Sequence, residues 1–268
     1  MLNGKSSILF YAAALGLLLA VSGCTAPKVT SSAQPISHAA WDSLLRKHVD
    51  DHGLVDYQGF AQDSNQLKDY LSLLSNNAPN EKTWSKTEQL AYWINAYNAF
   101  TVKLILDYYP VNSIKDIKDG IPFVNTVWDV KFFTIAGKEF DLNNIEHGIL
   151  RKEFDDPRIH FSLVCASMSC PKLQNFAFTG DKLDTQLDEA ASEFLNEPFR
   201  NEIGGETIRL SKLLDWYWGD FKDKYQDRYE LINRYAKKQV KTSQPIEFID
   251  YDWRLNEQTP EKEALVKG

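Results

Sequence analysis

Helical periods dominate the order of apolar and polar positions along this chain. In "WDSLLRKHV" (41–49) the apolar residues gather on one side of a short amphipathic helix. In "NQLKDYLSLLS" (65–75) Leu67, Tyr70, Leu71 and Leu74 recur at the spacing that lines one helical face. The longest run, "SKTEQLAYWINAYNAFTVKLILDYYP" (85–110), predicts a central apolar helix over about 86–108. Ser85 with Glu88 supplies a capping box, and Pro110 marks the stop. "FDLNNIEHGILRKEF" (140–154) predicts a helix capped by Asp141, and "TGDKLDTQLDEAASEFLN" (179–196) and "SKLLDWYWGDF" (211–221) predict two more. Extended periods are fewer: "GLVDYQGF" (53–60) as turn and strand, "DVKFFTIAG" (129–137) as a strand ending at Gly137, "RIHFSLVCA" (158–166) as a buried strand, and "EFIDYDWRLN" (247–256) as a late strand or extended segment. The class is α+β: a mainly helical single domain with a small sheet packed on helices.

The amino terminus changes where that domain is expected to work. Residues 1–23 hold one charge, Lys5, then the apolar "ILFYAAALGLLLAV", then Ser22 and Gly23 before Cys24. This is the form of a secretory signal, too short and poorly flanked for a membrane span. "AVSGC" resembles a bacterial lipobox, which implies lipidation of Cys24, and Thr25 in place of an aspartate implies sorting to the outer membrane. "TAPKVTSSAQPISHAA" (25–40) reads as a flexible tether beginning at Cys24, ahead of a globular body over 41–256 and a polar tail over 257–268. The formal charge of −7 becomes −8 without Lys5. An acidic body is a poor nucleic-acid binder and gains nothing from anionic lipid, so the membrane link would be the lipid on Cys24 alone.

Candidate chemistry lies where polar residues interrupt apolar patterns. Asn95 and Asn98 share a face of the central helix, where an unpaired buried amide costs ~1–3 kcal/mol. They either fix connecting backbone or line a pocket. Glu146 and His147 flank the stripe of Leu142, Ile145 and Ile149, and Arg151, four residues beyond His147, would disfavour a proton on that imidazole. "RIHFSLVCASMSCPKL" then places His160, Cys165, Ser169 and Cys170 within eleven positions. A regular strand would point His160 and Cys165 to opposite faces, so either His147 is the partner of a sulfur, the favoured reading, or a bulge before Cys165 re-aims it.

"LAYWINAYNAF", "DLNNIEHGILR", "DPRIHFSLVCASMSCPKL", "SKLLDWYWGDF" and "IDYDWRLN", with the leading "LLRKHVDDHGLVDYQGF", resemble the DUF547 family, a domain of unknown function, from about Trp41 to Asn256. The resemblance implies that Asn95, Asn98, Glu146, His147, Arg151, His160, Cys165, Ser169, Cys170 and Pro171 sit in signature segments. It brings no activity with it. In architecture the domain also resembles the papain and transglutaminase-like thiol hydrolases. Their order of cysteine, histidine and aspartate is absent, because both candidate histidines precede both cysteines, so no triad carries over.

Four readings of the cysteines stay open: a C-x4-C disulfide pinning a loop, a nucleophilic Cys165 or Cys170, a metal site, and inert buried thiols. As an enzyme the chain would be a thiol-dependent acyl hydrolase or transferase on peptide-like envelope material. Cys165 or Cys170 would attack, activated by His147 or His160 with Glu146 or an asparagine as orienter, and Asn95, Asn98, Arg151 and Ser169 would hold substrate. As a module it would bind a peptide-like or small-molecule ligand, or a partner, with the disulfide closed. No Gly-rich phosphate loop, G-x-S-x-G elbow or H-E-x-x-H pair is present, and neither cofactor nor metal is expected.

Overall fold

The structure, a computed structural model, describes residues 25–118 and 126–267. The signal segment 1–23 and Cys24 lie outside the described residues. Residues 25–38, expected as a flexible tether, have no regular secondary structure, yet they lie along the body. Ala26, Val29 and Ile36 pack on the apolar core, and the carbonyl of Ala33 accepts from Asn80 Nδ2 (2.9 Å), Thr83 Oγ1 (2.7 Å) and Trp84 Nε1 (2.8 Å).

Helix α1 (Ala39–His48) buries Trp41, Leu44 and Leu45. Residues 53–60 depart from the expected strand. Gly53 turns the chain at φ 78°, Val55 makes only isolated bridges to Val49 and Glu257, and α2 (Tyr57–Gln62) starts at Asp56, whose Oδ1 accepts from Gly59 N at 2.8 Å. An N-cap aspartate outweighs the extended preference of Val55 before it. Helix α3 (Ser64–Asn76) buries Leu67, Tyr70, Leu71 and Leu74, the face its pattern marks. Helix α4 (Lys86–Tyr108) opens on the capping box, Ser85 N to Glu88 Oε2 at 2.7 Å and Glu88 N to Ser85 Oγ at 3.2 Å, and stops ahead of Pro110. It is apolar on nearly every face because α2, α3 and the 144–150 segment all pack on it.

Strands β1 (Phe133–Ile135) and β2 (Lys138–Phe140) form an antiparallel hairpin, with Phe133 opposite Phe140 and positive φ at both turn residues, Ala136 (49°) and Gly137 (72°). That backbone matches the twist of a two-residue hairpin. Asp141 then caps a helix as expected, its Oδ1 accepting from Asn144 N at 2.6 Å. Asn144–Leu150, however, winds as a π-helix before one α-helical turn, α5 (Arg151–Glu153).

Residues 158–166 are not a strand. Pro157–Phe161 is a 3-10 helix with Pro157 at its start and Asp156 Oδ1 accepting from Arg158 N at 3.0 Å; the chain beyond it is irregular. Aspartate followed by proline is a helix start, and it overrides the apolar run. Helix α6 (Leu183–Asn196), the parallel pair β3 (Ile208–Ser211) and β4 (Ile246–Ile249), and helices α7 (Leu213–Trp216), α8 (Trp218–Phe221) and α9 (Arg228–Tyr235) build a second apolar cluster, which Phe161 joins. The helix expected over 211–221 is thus two short ones broken at Tyr217. The tail is not simply polar: α10 (Pro260–Lys267) buries Val266 against Leu54 and Met168. The class is α+β and mainly helical, with two two-stranded sheets among the described residues.

Candidate active site

A cleft of about 310 Å³ opens where the two apolar clusters meet. Glu146 and His147 from the π-helix, His160 from the 3-10 helix, and Cys165 and Cys170 from the loop after it all line it. Five residues expected to carry chemistry, from three separate segments, therefore share one cavity. A π-turn changes the angle between successive side chains, and such turns concentrate at functional sites.

The loop bearing the cysteines is held on several sides. Asn98 clamps its entry, donating from Nδ2 to Ser162 O (2.9 Å) and accepting at Oδ1 from Val164 N (3.0 Å). Ala166 sits at φ 59°, a left-handed backbone that costs a non-glycine residue roughly 1 kcal/mol or more and turns the chain back on itself. The extended segment after β4 straps the turn: Met168 N bonds Arg254 O (2.9 Å), Asn256 N bonds Ala166 O (3.1 Å), and Asp252 N bonds Ser169 Oγ (2.8 Å). Arg200, buried, grips the carbonyl of Cys170 through Nε at 2.6 Å.

The two thiols are free and touch, Sγ to Sγ at 3.0 Å. Cys165 is half-buried; its sulfur also meets Ser167 Oγ at 3.2 Å and Tyr251 OH at 3.4 Å, and Tyr251 OH accepts from Ser167 Oγ at 3.2 Å. The hydrogen bond from Cys170, followed by those from Ser167 and Tyr251, outweighs burial and the nearby Glu146 carboxylate, and brings the Cys165 thiol down to about 7. Cys170 goes the other way: burial, then the Cys165 sulfur, pushes its thiol up. Burial, followed by the charge of the cysteines, raises the Tyr251 phenol well above its ordinary value, which keeps its proton available to the sulfur.

The histidines stand differently. His160 Nε2 lies 2.8 Å from Asp220 Oδ2, and its ring stacks on Tyr217 at 3.9 Å; among the described residues its Nδ1 has no hydrogen-bond partner. Tyr217 OH donates to Glu146 Oε1 at 2.6 Å, its phenol held protonated by burial and then by that carboxylate. Burial pushes the Asp220 carboxyl up, but bonds from His160 and Arg151 outweigh it and hold the group ionised, well below the usual range. His147 Nδ1 accepts from Arg151 Nη1 at 3.0 Å, which puts the ring proton on Nε2. Neither histidine hydrogen-bonds a cysteine among the described residues.

The expected substrate-holding residues are placed elsewhere. Asn95 is buried with both ends of its amide on Phe178, to O at 2.7 Å and from N at 3.1 Å, and Asn98 is used up on its loop. The bland account of these amides, fixing connecting backbone, is the one their bonds satisfy. Ser169 ties the strap, and Arg151 is committed to Asp220 through Nε (2.6 Å) and Nη2 (2.7 Å). Missed in the sequence were Tyr217, Asp220, Tyr251 and the wall of Trp128, Trp216 and Trp253. The dense "WYWGDF", with a half-exposed Trp216, was the signal available.

The family described as "Protein of unknown function, DUF547" matches residues 81–195. That stretch holds Glu146, His147, His160, Cys165 and Cys170, but not Tyr217, Asp220, Tyr251 or Trp253. No curated protein and no solved structure matches the chain.

Proposed function

We propose, for a chain that carries a DUF547 domain and inherits no activity from it, a thiol-dependent acyl hydrolase or transferase with Cys165 as nucleophile. The observation that carries this reading is the placement of Cys165. Its sulfur lies in an aromatic cleft with three hydrogen-bonding groups within 3.4 Å, an environment that favours thiolate, the reactive form. Attack on an acyl carbonyl forms the S–C bond of a thioester; the leaving group departs with a proton, and water or an acceptor amine then releases the acyl chain.

The proton donor is His160. An imidazole that takes up a proton becomes a cation. At His160 the new charge meets the Asp220 carboxylate at 2.8 Å, whereas at His147 the Arg151 guanidinium, 3.0 Å away, stands closer than the Glu146 carboxylate at 3.9 Å. Glu146, with Tyr217 as its donor, is placed to receive an N–H of a peptide-like substrate, and His147 Nε2–H to meet a carbonyl. The signal at 1–23 and the lipobox Cys24 support the setting we propose: a lipid-anchored envelope protein, outer-membrane-bound and facing the periplasm.

A second reading, a non-catalytic ligand- or partner-binding module, is favoured by the 3.0 Å sulfur contact, which a structural disulfide could close. Reduced protein assayed on p-nitrophenyl acyl esters separates the two. Cys165→Ser should abolish turnover and Asp220→Asn should lower it by about 10²–10⁴-fold, the usual weight of a positioned acid or base. Undiminished turnover in Cys165→Ser defeats the enzyme reading.

A further inference from the structure

We infer that Cys165 and Cys170 are a reversible redox pair, in which Cys165 is oxidised first by a hydroperoxide entering the cleft and Cys170 resolves the product to a disulfide. The dithiol chemistry stands on the geometry alone. Its consequence, that oxidation shuts off acyl transfer, rests on the function proposed above, because a disulfide consumes the sulfur which that reaction needs.

The roles follow from access. Cys165 is half-buried, while Cys170 is 3% exposed and lies behind it. Cys170 Sγ accepts the backbone N–H of Cys165 at 2.9 Å and faces Leu163 O at 3.6 Å, so its sulfur is directed into the loop. The left-handed Ala166 brings the two side chains together, and the Arg200 grip on the Cys170 carbonyl with the strap on Met168 and Ser169 fixes the far side of the turn. Closing the sulfurs from 3.0 Å to the ~2.05 Å of a disulfide is a small movement of side chains already in contact. A purely structural thiol pair has no need of one sulfur open to a cleft; a peroxide-reactive pair requires it.

In the first step the Cys165 thiolate attacks one oxygen of the hydroperoxide. The S–O bond forms, the O–O bond breaks, and the departing oxygen takes a proton from solvent to leave as alcohol or water, with sulfur oxidised to sulfenic acid. In the second, Cys170 sulfur attacks Cys165 sulfur. The S–O bond breaks, the hydroxide leaves as water with the Cys170 proton, and the disulfide remains. An external dithiol returns the pair by exchange, becoming a disulfide itself.

The test is one equivalent of hydrogen peroxide added to reduced, reductant-free protein, read by intact mass, iodoacetamide-accessible thiols and a dimedone adduct. Wild type should become two hydrogens lighter, lose the thiols of Cys165 and Cys170, and recover them with dithiothreitol. Cys170→Ser should instead become one oxygen heavier and take dimedone at Cys165, and Cys165→Ser should stay reduced. The inference is overturned if wild type keeps both thiols, or accumulates dimedone adduct as readily as Cys170→Ser. None of these readouts uses the acyl reaction. Disulfide closure in a protein without ester turnover would defeat the enzyme reading alone, and turnover in a protein whose thiols resist peroxide would defeat the redox pair alone.

Discussion

Replacing Asn98 by leucine tests whether the central helix sets the position of the nucleophile. The two side chains share a branched skeleton of four heavy atoms, so the change mainly removes hydrogen bonds. It leaves the carbonyl of Ser162 and the N–H of Val164 without their partner in a buried site. Each orphaned group costs ~1–3 kcal/mol, and the added apolar contact of leucine returns part of that, for a net loss of about 2–4 kcal/mol. At roughly 2–4 °C per kcal/mol for a chain of this size, thermal melting should fall by about 5–15 °C. Asn95→Leu removes the matching pair at Phe178 and should destabilise by a similar amount. The two variants should part in chemistry. Only Asn98 fixes the backbone on both sides of Leu163, two residues before Cys165, so well below its melting point Asn98→Leu should alkylate at Cys165 at an altered rate, with Asn95→Leu unchanged. Melting within about 1 °C of wild type for Asn98→Leu, or equal alkylation changes in both variants, would refute this account of the clamp.

Iodoacetamide should label Cys165 faster as pH rises, with a midpoint near the value of about 7 set by the bond from Cys170 and those from Ser167 and Tyr251. Tyr251→Phe and Ser167→Ala should move that midpoint up, and a wild-type midpoint near ~8.5, that of a free thiol, would count against the reading. His38, buried on Tyr70 OH at 2.7 Å, has its imidazole lowered from 6.5 to about 4 by burial. The unfolded chain therefore binds the extra proton between those values, and up to about 3 kcal/mol of stability should be lost as pH falls through that window. His38→Gln should flatten that slope in pH-dependent melts, and an unchanged slope would exclude His38 as its source. Cys24→Ser should leave an unlipidated protein that no longer fractionates with membranes; retention in the outer membrane would mean that something other than a lipid on Cys24 holds it.

Local physics made part of this molecule legible in its sequence. Helix 86–108 is readable because its start is a capping box, its stop is a proline and its apolar residues fill nearly every face, and all three signals act within a turn or two. The strand that the pattern predicts over 158–166 does not form, because β-branched and aromatic residues are equally content in a packed irregular segment once another element satisfies the backbone. Asn98, sixty-six residues from Val164, does so here. The start signal Asp156–Pro157 was the local cue that should have decided it.

The site divides along the same line. Glu146, His147, His160, Cys165 and Cys170 stood out because polar or reactive side chains in apolar surroundings need a reason to be there. Asp220 and Tyr251 did not, because each acquires its meaning only from a partner sixty residues away at His160 or eighty-six away at Cys165. The case of His147 shows how a correct distance can carry an incomplete consequence. Arg151 does lie against its ring, as the four-residue spacing requires, and donates to its Nδ1. A base must also hold the proton it takes, and at His147 the guanidinium at 3.0 Å stands closer than the Glu146 carboxylate at 3.9 Å. The carboxylate that favours the charged state lies beside His160, on α8, beyond the segment that matches the family. The second apolar cluster thus supplies the orienting group, and the first supplies the helix that clamps the nucleophile's loop. A fragment limited to residues 81–195 would keep the thiols and lose the group that orients His160.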